Sequence, residues 1–290
     1  MITKKQVNSE IDYLITLRSI LESYEEIAAS KMARIRSSVL ASRDFLLEIN
    51  TVFQEVKSSY KEEIEKLMKR KKIKNPKELT FLNRNGKTLY LLISANTGLY
   101  GDLIKKAYDL FIESLKRDNV RDAAIIGKLG YQFFEGEKIN TSVSYFDFPD
   151  DRIDSEKLKK IIEHIIQYRK VLVFYELFNN IIDQKPIITN ISGDPLSYEN
   201  SGMKGVRYFF EPSLEKIMVF FEKEIVASIF EQTILESELA KFASRMIALD
   251  ESADNTRNKL KEILLQKERL RHQKNNKEQA EKFSYISLWK

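Results

Sequence analysis

The chain has 290 residues, 43% of them hydrophobic, enough for a buried core, while the 31% that are charged exceed the usual share for a compact globule and suit long exposed helices. Its formal net charge of +5 is compatible with an acidic partner but decides nothing alone. With no cysteine there is no disulfide, zinc–thiolate site or thiol nucleophile, and the two histidines, His164 and His272, lie too far apart in helical patterns to form a metal cluster within one chain.

The opening MITKKQVNSEID has no apolar core followed by a small-residue cleavage site, and no run approaches the roughly 18 apolar residues of a membrane span. A soluble intracellular protein is expected. Helix breakers then organise the chain. The nine glycines run from Gly86 to Gly205 and the five prolines from Pro76 to Pro212. Gly and Pro cost about 1 and 3 kcal/mol inside a helix, so the stretches lacking both permit long helices. We expect helical arms over residues 1–75 and 212–290, flanking a central domain over 76–211.

The first arm carries a stripe at Val7, Ile11, Leu14, Leu17, Leu21, Tyr24, Ala28, Met32, Ile35, Val39, Ser42, Leu46, Ile49, Phe53 and Val56. Steps of three and four alternate, which is a heptad-like seam and predicts a left-handed coiled coil. The last arm repeats the pattern at Leu239, Phe242, Met246, Leu249, Ala253, Leu260, Ile263 or Leu264, and Leu270. The simplest partner for one arm is the other, paired antiparallel. Between them, KEEIEKLMKRKKIKN (61–75) reads as a solvated helix end; aromatics for stacking on nucleic-acid bases are missing from it.

The centre alternates strand and helix. Strands are predicted over 88–94, 122–127, 139–148, 170–177, 185–192 and 205–211, with helices over 100–117 and 154–169, the second capped by Asp154 or Ser155. This order predicts a three-layer, Rossmann-like α/β domain with a largely parallel sheet.

The loop Ser94–Gly101 is the candidate phosphate site, because a strand, a glycine turn and a helix follow one another there. It has Gly98 and Gly101 but neither the three-glycine dinucleotide fingerprint nor a phosphate-loop lysine, and Asp102 would repel phosphate. A structural turn is the favoured reading. The clustered carboxylates of DFPDDRID (147–154) read as a loop leading to a helix cap, with a metal site as the sharper alternative. The basic run KERLRHQKNNK (267–277) reads as a solvated face on an arm whose apolar stripe fades beyond Leu270.

Several segments together resemble the gamma subunit of F-type ATP synthases, the central rotating shaft. IAASKMARIRSSV (27–39) is similar to the family's "VAASKMRKA", and TGLYG (97–101) behind Ser94 to its "S-x-D-x-G-L-C-G" turn. AAIIGKLGYQFF (123–134) resembles "V-I-G-K-K-G", YELFNN (175–180) "Y-N-x-F-x-N", and YFFEPSLEKI (208–217) "Y-x-F-E-P-S". ESELAKFASRMIALDESADNTRNKL (236–260) resembles "E-S-x-A-S-E-H-A-A-R-M-x-A-M-x-x-A-x-x-N-A". Order and spacing agree over essentially the whole chain.

The resemblance implies a non-catalytic shaft inside a hexameric ring of alternating alpha and beta subunits. It implies no cofactor on this chain, with ATP, ADP and Mg held by the ring, an epsilon-like subunit and a membrane rotor ring at the foot, and no nucleic acid. The implied location is the cytoplasmic face of a bacterial membrane. Contacts with the ring are expected at Glu26, Lys31, Arg245, Met246, Arg271 and Glu278, and a foot-domain turn at Asn96, Thr97, Gly98, Tyr100 and Gly101.

The chain departs from the family pattern at Ser23, Tyr24 and Glu26, at Asn96, Thr97 and Tyr100, and at the helix end, where Asn275, Gln279 and Lys282 replace apolar residues. An alternative expectation keeps the shaft and attaches it to a machine other than a proton channel, such as a surface or motility apparatus of a wall-less bacterium. Two further readings rank below: an enzyme binding a nucleotide at 94–102, and a nucleic-acid-binding coiled coil.

Overall fold

The computed structural model describes residues 4–59, 82, 84–137, 139, 141–192 and 213–287. The predicted strand 205–211, the charged exit 61–75 and both expected domain boundaries lie outside the described residues. The chain divides into two compact units, Met1–Ser30 with Arg245–Lys290, and Lys31–Ser244.

The elements are α1 (Lys4–Ser59), β1 (Thr88–Ile93), α2 (Leu103–Asp118), β2 (Asp122–Ile126), α3 (Lys128–Glu135), β3 (Ser142–Phe146), α4 (Ser155–Ile165), β4 (Lys170–Phe178), β5 (Gln184–Asn190) and α5 (Leu214–Ser287). In the first unit, residues 4–30 of α1 pair antiparallel with residues 245–270 of α5. Val7, Ile11 and Leu14 pack against Ile263, with Leu260 and Leu270 alongside, and Arg257 reaches Glu22 at 3.8 Å. Every member of the predicted α1 stripe is buried or half-buried except Tyr24, which is exposed; Glu25 turns toward the seam instead.

The second unit is built on a five-stranded sheet of order β3-β2-β1-β4-β5. β3, β2, β1 and β4 are parallel, and β5 returns antiparallel beside β4. Alternation along the strands sends successive side chains to opposite faces. Leu89, Leu91 and Ile93 of β1, with Val171, Val173 and Tyr175 of β4, meet Leu158, Ile161 and Ile165 of α4 and Val226, Phe230 and Ile234 of α5. Tyr90 and Leu92, with Phe174, meet Ala107, Tyr108, Phe111 and Leu115 of α2. This is the expected three-layer arrangement, with α5 serving as part of one outer layer. In the same unit, Phe53 and Val56 of α1 bury Met218 and Ile225 of α5.

Local chemistry sets the boundaries. α2 starts at Leu103 rather than 100 because Leu99 and Gly101 carry positive φ (69° and 56°), which no right-handed helix accommodates. It ends on Asn119 in the left-handed region, which asparagine tolerates. α4 is capped by Asp154, whose carboxylate accepts from the backbone N–H of Glu156 and Lys157, both at 3.1 Å.

Candidate functional site at the turn after β1 and on the terminal helices

In an open α/β sheet, ligands enter beside the carboxyl ends of strands where the strand order reverses. Here that point lies between β1 and β4, and it leads into the turn Ser94–Gly101. The turn's donors are already engaged. The backbone N–H of Asn96 donates to the Asp150 carboxylate at 2.8 and 3.0 Å, and that of Thr97 at 2.9 Å. The Thr97 hydroxyl donates to the same carboxylate at 2.8 Å, and the Tyr100 hydroxyl lies 3.4 Å from it. Asp150 thus fills the anion cradle that successive backbone amides form. A phosphate would have to displace it.

Around this cradle the turn is braced on three sides. The Asn96 amide donates to Asp147 at 3.1 Å and to the Phe148 carbonyl at 2.7 Å, while its oxygen accepts from the Lys128 backbone at 2.8 Å. Tyr100 is buried and its carbonyl accepts from the Ser244 hydroxyl at 2.8 Å. Gly98 has open space where a side chain would stand, whereas Gly101 needs its positive φ. Of the five predicted turn residues, Asn96, Thr97 and Tyr100 gather around a carboxylate some fifty positions away, and Gly98 and Gly101 shape the backbone between and after them.

The crevice beside the turn is closed by α5. Lys241 is buried and donates to the Ser94 carbonyl at 2.9 Å, and the Ser237 hydroxyl donates to Glu176 of β4 at 2.6 Å. Burial pushes the Glu176 carboxyl above its ordinary range, opposed by the Lys241 charge and the Ser237 hydrogen bond. The sequence reading missed this network; its signal was the run of polar residues Glu236, Ser237, Glu238 and Lys241 interrupting an apolar stripe.

The carboxylates of 147–154 each have a separate task. Asp147 pairs with Lys157 at 2.5 Å, Asp150 holds the turn, Asp151 pairs with Lys31 at 3.0 Å, and Asp154 caps α4. The Lys157 and Lys31 hydrogen bonds hold Asp147 and Asp151 below the usual carboxylate range. Among the described residues no group of three or more His, Cys, Asp or Glu is placed to hold a metal ion.

The residues expected at a ring contact are spread over both units. Lys31 is tied to Asp151 and lies 5.5 Å from the centre of the Phe242 ring. In the other unit Glu26 is exposed beside Glu25, whose carboxyl is raised by burial and by Asp250, Glu22, Glu26 and Asp254. Arg245 and Met246 are half-buried. Arg271 pairs with Glu268 at 2.8 Å and Glu278 with Lys274 at 3.5 Å, on a stretch, 271–283, exposed on every side.

The chain thus combines an antiparallel pair of terminal helices in one unit with an α/β sheet in the other, whose switch-point crevice is closed by its own helix. The model of the ATP synthase family matches residues 3–281, so the chain belongs to that family. The ATP synthase gamma chain of Halothermothrix orenii is 21% identical to it over 97% of both chains. That of Staphylococcus epidermidis is 24% identical over 93% of both. Among solved structures, the Tetrahymena thermophila mitochondrial ATP synthase central stalk/c-ring contains a chain with the same fold, at a TM-score of 0.54 and 20% identity, covering 80% of this chain and 99% of that one. Among the described residues no helix is long and apolar enough to cross a membrane.

Proposed function

We propose that this chain is the central rotor shaft of an F-type ATP synthase or ATPase. It couples synthesis or hydrolysis of ATP in a ring of alpha and beta subunits to rotation, and through the foot to proton transport. One observation beyond the family match carries this reading. In the first unit α1 exposes Tyr13, Ile20, Tyr24 and Ile27, spaced by seven, four and three residues on one helix face, each at least 46% exposed. An apolar stripe on a long helix pair calls for a surrounding partner.

A shaft with unlike faces presents a different surface to each catalytic interface, so its angle sets their affinities; by reciprocity, binding and release of nucleotide turn it. ATP, ADP and Mg then belong to the ring, and Asp150 in the foot turn is consistent with a chain that binds none itself. An epsilon-like subunit and a membrane rotor ring would meet the foot, on the cytoplasmic face of the membrane. The isolated chain is expected to show no ATP turnover above background, and ring subunits assembled with it to show robust turnover. Sustained hydrolysis by the chain alone refutes the reading. The subunits that co-purify with it distinguish a proton-driven rotor from another machine at the foot.

A further inference from the structure

The α/β unit holds a groove of about 510 Å³ that the shaft reading leaves unused, inside the roughly 300–1,000 Å³ typical of ligand sites. Its three walls are a face of α1, the turn 151–153, and a face of α5. The groove exists because α1 presents Ser38, Ala41 and Ser42 there, side chains too short to fill the space.

Two carboxylates line it. Glu238 is 2% exposed, yet its carboxylate makes no hydrogen bond or ion pair among the described residues. Glu231 is half-buried, and its charged neighbour is another acid, Glu224. The charges facing Glu238 are Lys241, Asp150, Asp151 and Arg34, two of each sign. Lys241 donates to the Ser94 carbonyl, and Arg34, which lines the groove together with Arg152, donates to the Asp151 carbonyl, so neither Lys241 nor Arg34 pairs with the Glu238 carboxylate. The Glu238 oxygens keep a little accessible surface, which opens into the groove, and a carboxylate so poorly hydrated and without a protein partner favours a cation there. Phe45 and Leu235 add apolar wall beside the acids.

We propose that this groove receives an arginine or lysine side chain of a polypeptide bound alongside α1 and α5, its charged head at Glu238 and Glu231 and its aliphatic stem against Phe45 and Leu235. The mixture of walls selects this occupant. Long basic side chains combine an apolar stem with a cationic head, and their hydrogen bonds to carboxylate are the strong kind. A bare metal ion would leave Phe45 and Leu235 without a role. The inference rests on the shaft reading in that it assigns the occupant to another subunit of the assembly.

Two readouts test it. Burial holds the Glu238 carboxyl up at about 7. From pH 7 down to about 4.5 the folded chain binds this proton before the unfolded chain does, so folding gains stability as the pH falls. Glu238→Gln should remove that slope and, at pH 8, raise the melting temperature of the isolated chain by about 2–4 °C, because the unpartnered charge is gone. In the native assembly, with the rim residue Arg152 replaced by the photocrosslinker benzoylphenylalanine, crosslinks should fall on a partner segment within about three residues of an arginine or lysine, given the length of such a side chain. Glu238→Gln should lower their yield by at least about tenfold, since removing one side of a buried charge pair weakens binding by more than that. Crosslinks to a segment without a cation, an unchanged yield in the variant, or a lower melting temperature overturns the proposal. An assembly that turns over ATP while the groove stays uncrosslinked sinks the groove alone; failure of the chain to assemble with ring subunits sinks the shaft reading with it.

Discussion

Gly127→Ala is expected to destabilise the α/β unit by about 3–5 kcal/mol, the combined effect of backbone strain and overpacking. Gly127 joins β2 to α3 with φ +94°, a conformation that L-residues rarely adopt. A Cβ there would stand 2.8 Å from the Ala95 backbone nitrogen and 3.0 Å from its carbonyl oxygen. Neither side can yield, because the Ala95 carbonyl accepts from the Leu129 backbone at 2.8 Å and the Gly127 N–H donates to Phe146 at 3.0 Å. Hydrogen exchange at the amides of β1 and β2 in the full chain measures the loss. Gly98→Ala is the control: its φ is not positive and open space surrounds the added carbon, so a change within about 0.5 kcal/mol is expected. Equal effects at the two glycines would show that the close approach of the two turns does not limit stability.

Lys241→Met should be nearly as severe, at about 3 kcal/mol. It leaves the Ser94 carbonyl without its side-chain donor and removes the charge that most favours ionised Glu176. Glu176 is fully buried and its carboxyl is already raised, so the variant should drive it to take up a proton. The sign follows from linkage. A carboxyl raised in the folded state binds protons there first, so the stability of the variant should recover as the pH falls through that raised value. The double variant Lys241→Met with Glu176→Gln should regain the part of the loss that stems from the uncompensated acid and lose the share of the pH dependence that Glu176 contributes, while the share from Glu238 stays. A double variant no more stable than the single one contradicts this account of the crevice.

Periodicity made the architecture legible. Burial in long helices and in alternating strands repeats locally, so the α1 stripe, five strands, α2 and the Asp154 cap could all be read from neighbouring residues. Tyr24 broke the stripe because the residue beside it, Glu25, takes the seam side amid Asp250 and Asp254 of α5, neighbours far away in sequence. α3 went unread for a similar reason. KLGYQFFE carries an internal glycine, a poor helix signal, yet Gly130 is required because a Cβ would come within 2.7 Å of Ser94. Asp150 is the clearest case. In sequence it belonged to an acidic loop; in the fold it supplies the acceptor that Asn96 and Thr97 need, which explains why a turn resembling a phosphate cradle carries polar residues that point inward.

Rotation is the central claim. The chain has no cysteine, so Ile182→Cys at the 87%-exposed tip between β4 and β5 gives a single attachment point for a bead. With the alpha and beta subunits fixed to a surface and this variant assembled into the ring, ATP should drive the bead through sustained rotation in one direction. ATP hydrolysis by that assembly without any rotation of the bead would contradict the account.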